Sequence, residues 1–337
     1  MNRTFFLSAM LAVIFAFSSC NAKSQNTTTE QVVVTQNQNQ LPGINLSETK
    51  DVQSSSMSKA YELSESIIKQ RLSAEDTLNV QLIDGVSQND LVVVDGSYDH
   101  IHLVLSFLKL PFLRVSQHQV AGLQLEPHQT VFVNCAGNFP AEGARKLAKF
   151  VADGGQLITT DWALHSLLEQ AFPGYVKYNQ RPTADEVVRI EVKDKTDPVI
   201  AGFLDEETAP VWWLEGSSYP IKILNKDVKI LISSKELKDK YGEEAVLVRF
   251  EYGKGVVYHM ISHFYLQRTE TKDAIQSASA VGYFNNKVSG GISVDEKILE
   301  EAKSMNYGEV QSANTSAEFI MRSVINQKKK NQGENKK

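Results

Sequence analysis

Apolar residues fall along this chain in short unbroken runs and in helically spaced stripes, and the two kinds of pattern take turns. Leu91-Val92-Val93-Val94 is a continuous apolar run closed by Asp95-Gly96, which predicts a strand buried on both faces. Ile101, Val104, Leu105 and Leu108 then recur at the spacing a helix needs to lie against a sheet. Phe112 to Ser116 and Thr130 to Asn134 predict two further strands. Leu147, Phe150 and Val151 mark one face of a helix that Gly154-Gly155 ends, and Gln156 to Thr160 supplies the next strand. Leu164, Leu167, Leu168 and Ala171 repeat the stripe until Pro173-Gly174 stops it, and an earlier helix is expected near Ala60 to Arg71. Strands and helices alternating through short links predict an α/β fold, with a mostly parallel, doubly wound (flavodoxin-like) sheet and right-handed crossovers.

The later pattern is richer in strands: Val187 to Val192, Val228 to Ser233, Ala245 to Phe250 and Val256 to Ile261. The last two flank Glu251-Tyr252-Gly253-Lys254-Gly255, which predicts an antiparallel C-terminal hairpin. No internal repeat interrupts the pattern, so residues 59–300 are expected to form one domain. Residues 301–327 read as a helical extension with its helix over Thr315 to Gln327, and residues 328–337 as a frayed basic tail, its lysines solvated or touching anionic lipid.

The amino-terminal pattern is different. Asn2-Arg3, the apolar run Phe5 to Phe17 and Ser18-Ser19-Cys20 follow the charged, hydrophobic and small-residue order of a secretory signal over residues 1–19, too short to span a bilayer. Phe17-Ser18-Ser19-Cys20 resembles a bacterial lipoprotein box, with Phe17 where that family more often has Leu. The resemblance implies cleavage before Cys20, lipidation of its sulfur and a membrane-anchored protein of the bacterial cell envelope. Ordinary signal cleavage, with Cys20 discarded or left free, is the alternative. Residues 20–58 are dominated by Gln, Asn, Ser and Thr and bury too little to order, so they read as a tether reaching on the order of 35 Å.

With 337 residues and 42% hydrophobic content, the chain can hold its fold by burial. Two cysteines, one of them the lipidation candidate, make no disulfide framework, and a net charge of −5 gives no sign of nucleic-acid binding. No cofactor is expected. Ligands of an open α/β sheet sit outside the carboxyl ends of its strands. Those positions gather Asp95, Ser97, Tyr98, Asp99 and His100 after one strand, Asn134 and Cys135 after another, and Thr159, Thr160, Asp161 and Trp162 after a third. Further on, "WWLEGSSYP" places Trp212, Trp213, Glu215 and Tyr219 in an expected loop, and His263 and Arg268 follow the hairpin. Aromatics beside carboxylates make a small-molecule pocket, or else the tryptophans plug the core and Glu215 caps a turn.

Spacing bears on three sharper arrangements. His259 and His263 have H-x-x-x-H spacing, but on a strand they stand roughly 13 Å apart, which argues against a metal site, and none is expected. Ser262 and His263 are strand neighbours on opposite faces. Cys135 with His100 or His263 is a Cys–His arrangement on composition, whereas a lone cysteine is more often a small buried hydrophobe.

"VFVNCAGNFPAEGARKLAKFVADGGQLITTDWAL" and the distant "FEYGKGVVYHMISHF" resemble the class I glutamine-amidotransferase-like superfold, above all its trehalose-utilisation-like and gliding-motility or intraflagellar-transport-type branches. The resemblance covers roughly residues 90–265. It implies that the nucleophile's junction is Thr159-Thr160-Asp161-Trp162, with Asp161 in the cysteine's place, and that Cys135 belongs to the oxyanion loop one junction earlier. His263 matches the family's histidine, whereas Tyr265 and Leu266 follow where Pro-Glu is expected, which argues against an ammonia-releasing glutamine hydrolase. Two readings result. The leading one is a noncatalytic, envelope-anchored domain that binds a small ligand or an envelope protein at the strand ends. The other is a hydrolase in which Asp161 or Asp95 is base or nucleophile, His263 is acid or base and Arg268 holds an anion.

Overall fold

A computed structural model of the chain describes residues 55–200, 210–264, 274–287 and 296–334. Cys20, the signal and most of the tether lie outside the described residues, as does Arg268. Two helices, α1 (Ser55–Glu75) and α2 (Thr77–Asp84), lead into β1 (Leu91–Val94), α3 (Ile101–Phe107), β2 (Leu113–Val115), β3 (Thr130–Val133), α4 (Ala141–Asp153) and β4 (Gln156–Thr160). A wide helical turn over Leu164–Leu168 continues as α5 (Glu169–Ala171). Six short strands follow: β5 (Val176–Tyr178), β6 (Glu186–Arg189), β7 (Glu191–Val192), β8 (Val211–Leu214), β9 (Ile221–Ile223) and β10 (Lys229–Ser233). Then come α6 (Lys235–Tyr241), the hairpin of β11 (Ala245–Tyr252) and β12 (Gly255–Met260), and the helices α7 (Ala274–Ser277), α8 (Val281–Lys287), α9 (Glu296–Ala302) and α10 (Tyr307–Glu334).

The main sheet runs β2-β1-β3-β4-β12-β11-β10-β7, with β9 joined to β11 and β5 to β9. β2, β1, β3, β4 and β12 are mutually parallel, which is the doubly wound, flavodoxin-like order with the second arm of the hairpin as its fifth strand. β11 pairs antiparallel with β12, and β10 with β11. β1, β3, β4 and β12 are buried at every position because helices cover both faces. In α4, Leu147, Phe150 and Val151 are buried as the stripe predicts, and Gly154 ends the helix at φ 128°, a backbone region where a side chain is strained. The register of β12 on β4 runs from Val256 opposite Gln156 to Met260 opposite Thr160, so the two strands end level. That alignment places the site described below.

The carboxy-terminal segment departs from expectation. The basic stretch at 328–334 is no frayed tail, because α10 runs unbroken through it to Glu334. Lys328 pairs with Asp90 at 3.1 Å, Lys329 with Asp76 at 2.8 Å, and Lys330 donates to the Gly154 carbonyl at 2.9 Å. Nor is α10 an appendage. It packs on α1 and lies against the sheet, where Phe319 meets the rings of Tyr258 and Phe264 and Gln156 donates to the Ser323 carbonyl. Between the two helices, the fully buried Glu318 meets Arg71 at 2.5 Å and Arg322 at 2.8 Å, and Arg322 reaches on to Glu75 at 2.6 Å. A buried carboxylate between two guanidiniums is compensated, and removing either would leave a charge stranded. The expected boundaries at 59 and 300 therefore fall short of this helical pair, because acidic and basic residues that look solvated in sequence neutralise one another in it.

His259 is fully buried in β12, its Nδ1 2.8 Å from Thr159 Oγ1, and burial pushes its pKa down from 6.5 to about 3. It faces the sheet interior and forms no pair with His263. An unfolded chain takes up this proton near pH 6.5, whereas the folded chain refuses it until about pH 3. The contribution of His259 to stability is therefore full above pH 6.5 and falls through that window, by about tenfold in the folding constant per pH unit. Urea midpoints measured between about pH 7 and about pH 5 should fall more steeply in the parent than in His259→Gln; equal slopes would contradict the assignment.

Candidate functional site

Just beyond β4 and β12 the chain passes through a left-handed residue, Asp161 at φ 42° and Ser262 at φ 70°. Asp and Ser are among the short polar residues found in turns, and Asp tolerates this region better than most. The Asp161 N–H still donates to the Met260 carbonyl at 2.9 Å, extending the ladder by one bond, and its own carbonyl accepts from Leu164 N–H at 2.9 Å to open the following helical turn. The chain thus turns sharply at Asp161 and again at Ser262. The two turns bring the side chains of Asp161 and His263 together, with Asp161 Oδ2 3.6 Å from His263 Nε2.

Nδ1 on the other edge of the imidazole lies 3.0 Å from Glu215 Oε2. Both ring nitrogens are buried, and neither has an aligned hydrogen-bond partner among the described residues. Glu215 comes from the turn after β8, where its N–H donates to Ser262 Oγ at 3.3 Å. Asp161 holds that same turn from the other side: its Oδ1 accepts from Tyr219 N–H at 2.8 Å and its Oδ2 from the Ser218 hydroxyl at 3.1 Å. Burial, above all, raises the Asp161 pKa to about 6, against the opposing pull of His263 and those two donors; Glu215 adds only a smaller upward push. Burial pulls His263 down, but its contacts with Cys135 and Glu215 and the field of Asp99 outweigh it, so the imidazole titrates well above its ordinary value. Burial likewise raises the Cys135 thiol, with His263 and the Trp162 N–H working against it.

Cys135 is 1% exposed and stands at the β3 end, where the strand order reverses. Gly96 permits the approach. A Cβ on Gly96 would lie 2.5 Å from the Cys135 carbonyl oxygen and 2.7 Å from Asn134 Cβ, and the Ser97 N–H donates to that carbonyl at 2.8 Å. Cys135 is buried, as its residue type predicts, yet it is not an inert hydrophobe: it borders the cleft with Asp161 and His263, the ligand-type atoms of all three within 4.8 Å of one another.

These groups floor a cleft of about 370 Å³. Its walls are aromatic. Tyr98, 57% exposed, meets Trp162 edge to face at 5.0 Å, and Trp162 stacks on Tyr219, which stacks on Tyr178. Trp213 also lines the cleft. Both indole N–H groups are committed, that of Trp162 to the Ser217 carbonyl at 2.8 Å and that of Trp213 to Asp185 Oδ1 at 2.6 Å, so the indoles offer ring faces to a guest.

Several expected site residues differ from expectation in their element or their place. Trp212 and Trp213 belong to β8 and not to a loop, because Trp213 pairs with Val187 and Trp212 with Val188 across a two-stranded sheet with β6. Trp212 donates to the Ile261 carbonyl at 3.0 Å. Asp95 is bound to Arg114 at 2.7 Å away from the cleft lining, which removes it as the alternative base. Asp99 lies 1% exposed under the site, accepting from the Thr160 hydroxyl at 2.9 Å and Phe264 N–H at 3.3 Å. Asn134 is also buried beneath, while Ser97 and His100 are outside the lining, His100 packed on His102. Asp185, Gly216, Ser217 and Ser218 join the site without having been expected there. Only the pairing of β6 with β8 brings Asp185 to Trp213, and no spacing in the sequence announces that pairing.

Neither a family model nor a curated protein matches the chain. Solved structures that resemble it in part include a GMP synthase-like protein from Thermoplasma acidophilum, at 15% identity over 50% of this chain and 81% of that one, TM-score 0.37. Another is a ThuA-like protein from Bacteroides uniformis, at 10% identity over 52% of this chain and 82% of that one, TM-score 0.37. A third is a β-galactosidase from Bacillus circulans, at 13% identity over 56% of this chain but 31% of that one, TM-score 0.37. Likenesses this distant fix neither activity nor ligand.

Proposed function

We propose that the cleft is the site of a hydrolase acting on a small uncharged or cationic molecule, with its reacting centre between Asp161 and His263. One observation carries this reading: Asp161, His263 and Glu215 form a continuous line of contacts, at 3.6 Å and 3.0 Å, on the floor of an open cleft. Asp161 anchors the Glu215–Tyr219 segment, but that task does not call for an imidazole buried beside it with no aligned hydrogen bond among the described residues, which is a costly arrangement. An enzyme that moves protons needs these groups in reach of one another. The substrate class follows from charge and shape. Asp161, Glu215 and Asp185 outnumber His263 in the lining, which disfavours anions, and the indole faces of Trp162 and Trp213 suit the apolar face of a ring such as a sugar derivative.

The proton balance closes within these residues. Asp161 takes a proton from water as the water oxygen attacks, His263 gives its Nε2 proton to the leaving group, and the proton on Asp161 returns to the imidazole beside it. Glu215 fixes the ring through Nδ1. Assayed against chromogenic esters, amides and glycosides, the parent should turn over at least one class. Asp161→Asn and His263→Gln should each lose about a hundredfold or more in kcat/KM with the unfolding midpoint retained. Glu215→Gln should lose less. Turnover that survives both of the first two substitutions would refute the reading.

The same proposal holds the protein at the cell envelope by lipid on Cys20, supported by the order of charged, apolar and small residues before it. In cells, Cys20→Ser should move the chain from the membrane pellet to the soluble fraction; unchanged sedimentation would refute the anchor.

A further inference from the structure

We propose that Cys135, Asp161 and His263 together bind one divalent metal ion of the zinc type, with Glu215 orienting the imidazole and the fourth coordination position open to the cleft. This rests on the hydrolytic reading of the same site and deepens it: in the metal-loaded site the ion, held by Asp161 and His263, replaces the proton transfers those two residues carry out without it.

A thiol, a carboxylate and an imidazole converge with their ligand atoms within 4.8 Å of one another. Sulfur and nitrogen donors with one carboxylate suit a borderline-soft ion such as zinc better than magnesium or calcium, which take oxygen. The spacing agrees. Ligand atoms each about 2 Å from a tetrahedral ion stand about 3.4 Å apart, and Asp161 Oδ2 and His263 Nε2 stand 3.6 Å apart. Three protein ligands with a fourth position facing a cleft is the pattern of catalytic rather than structural zinc.

The state of His263 points the same way, independently of the donor count. This residue is 7% exposed, lines the cleft, and has no aligned hydrogen bond at either ring nitrogen among the described residues, an expensive state for a buried imidazole. A cation at Nε2 gives that nitrogen its partner. The surroundings are already those of a metal-bound histidine, since Glu215 stands 3.0 Å from Nδ1 as the carboxylate behind the ligand. Asp161 is fixed in the same way by Tyr219 N–H and the Ser218 hydroxyl. With an ion present, Asp161 and His263 hold the metal in place of the proton. The ion would then lower the pKa of a bound water, whose proton passes to solvent through the open cleft while the leaving group takes one back from solvent, and Glu215 keeps its task of aligning the ring.

Cobalt(II) titrated into the full-length chain, stripped with chelator and kept reduced by a phosphine, tests this without any turnover. Expected are a thiolate-to-cobalt charge-transfer band in the near ultraviolet and the intense visible bands of a four-coordinate ion, saturating at one ion per chain and abolished by zinc. Cys135→Ser should lose the charge-transfer band, and His263→Ala should weaken binding tenfold or more. Absence of the band in the parent, or its survival in Cys135→Ser, would overturn the proposal. Turnover without cobalt binding would remove the metal and leave the hydrolase, whereas the cobalt spectrum without turnover would do the reverse.

Discussion

The site depends on one buried carboxylate. Asp161 sits 2% exposed at a left-handed turn, and its two oxygens accept from Tyr219 N–H and the Ser218 hydroxyl on a segment far away in sequence. Hydrogen bonds to a charged group contribute about 1.5–3 kcal/mol each, enough to offset the strain of a left-handed non-glycine residue at roughly 1–2 kcal/mol. Without those bonds the buried charge would be stranded, and without the charge the segment from Glu215 to Tyr219 would lose the group that fixes it. The same carboxylate therefore locates Glu215 and, through it, the second edge of His263.

This arrangement is a consequence of sheet geometry. β4 and β12 run parallel, end level, and each turns through a left-handed residue, so a strand-end loop from early in the chain meets one from late in it. β3 contributes Cys135 from the neighbouring position, at the reversal of strand order where α/β sheets open a crevice. The helical pair α1 and α10 packs against the sheet, and its buried Arg71–Glu318–Arg322 network spends charge on holding two distant ends of the chain together. None of those charges reaches the cleft lining.

Local pattern made much of this legible. The Leu91–Val94 run, the Ile101 stripe, the helix closed by Gly154-Gly155 and the hairpin around Gly253 all stand near where periodicity puts them, because each is decided within a dozen residues. The strand ends after β1, β3 and β4 were legible as a polar rim, but the rim does not act as a whole. Tyr98, Cys135, Asp161 and Trp162 turn into the cleft, while Asp95 pairs with Arg114 and Asp99 goes under the floor. Which way each side chain turns is set by contacts between segments from 19 to 165 residues apart. The same is true of Trp213 and Asp185, whose meeting needs the β6–β8 pair, and of the lysines of α10, whose acids lie at the other end of the chain. Cys135 shows the limit most clearly: its burial followed from its residue type, but its neighbours did not.

The dependence on Asp161 is open to a direct measurement, amide hydrogen exchange in Asp161→Gly. Glycine accepts the left-handed turn, so the substitution removes the carboxylate and leaves the backbone unstrained. Exchange at Tyr219 N–H and through the turn from Glu215 should become fast, while the β4 and β12 amides stay protected. If the Glu215–Tyr219 segment kept its protection without the carboxylate, Asp161 would not be what holds the cleft together.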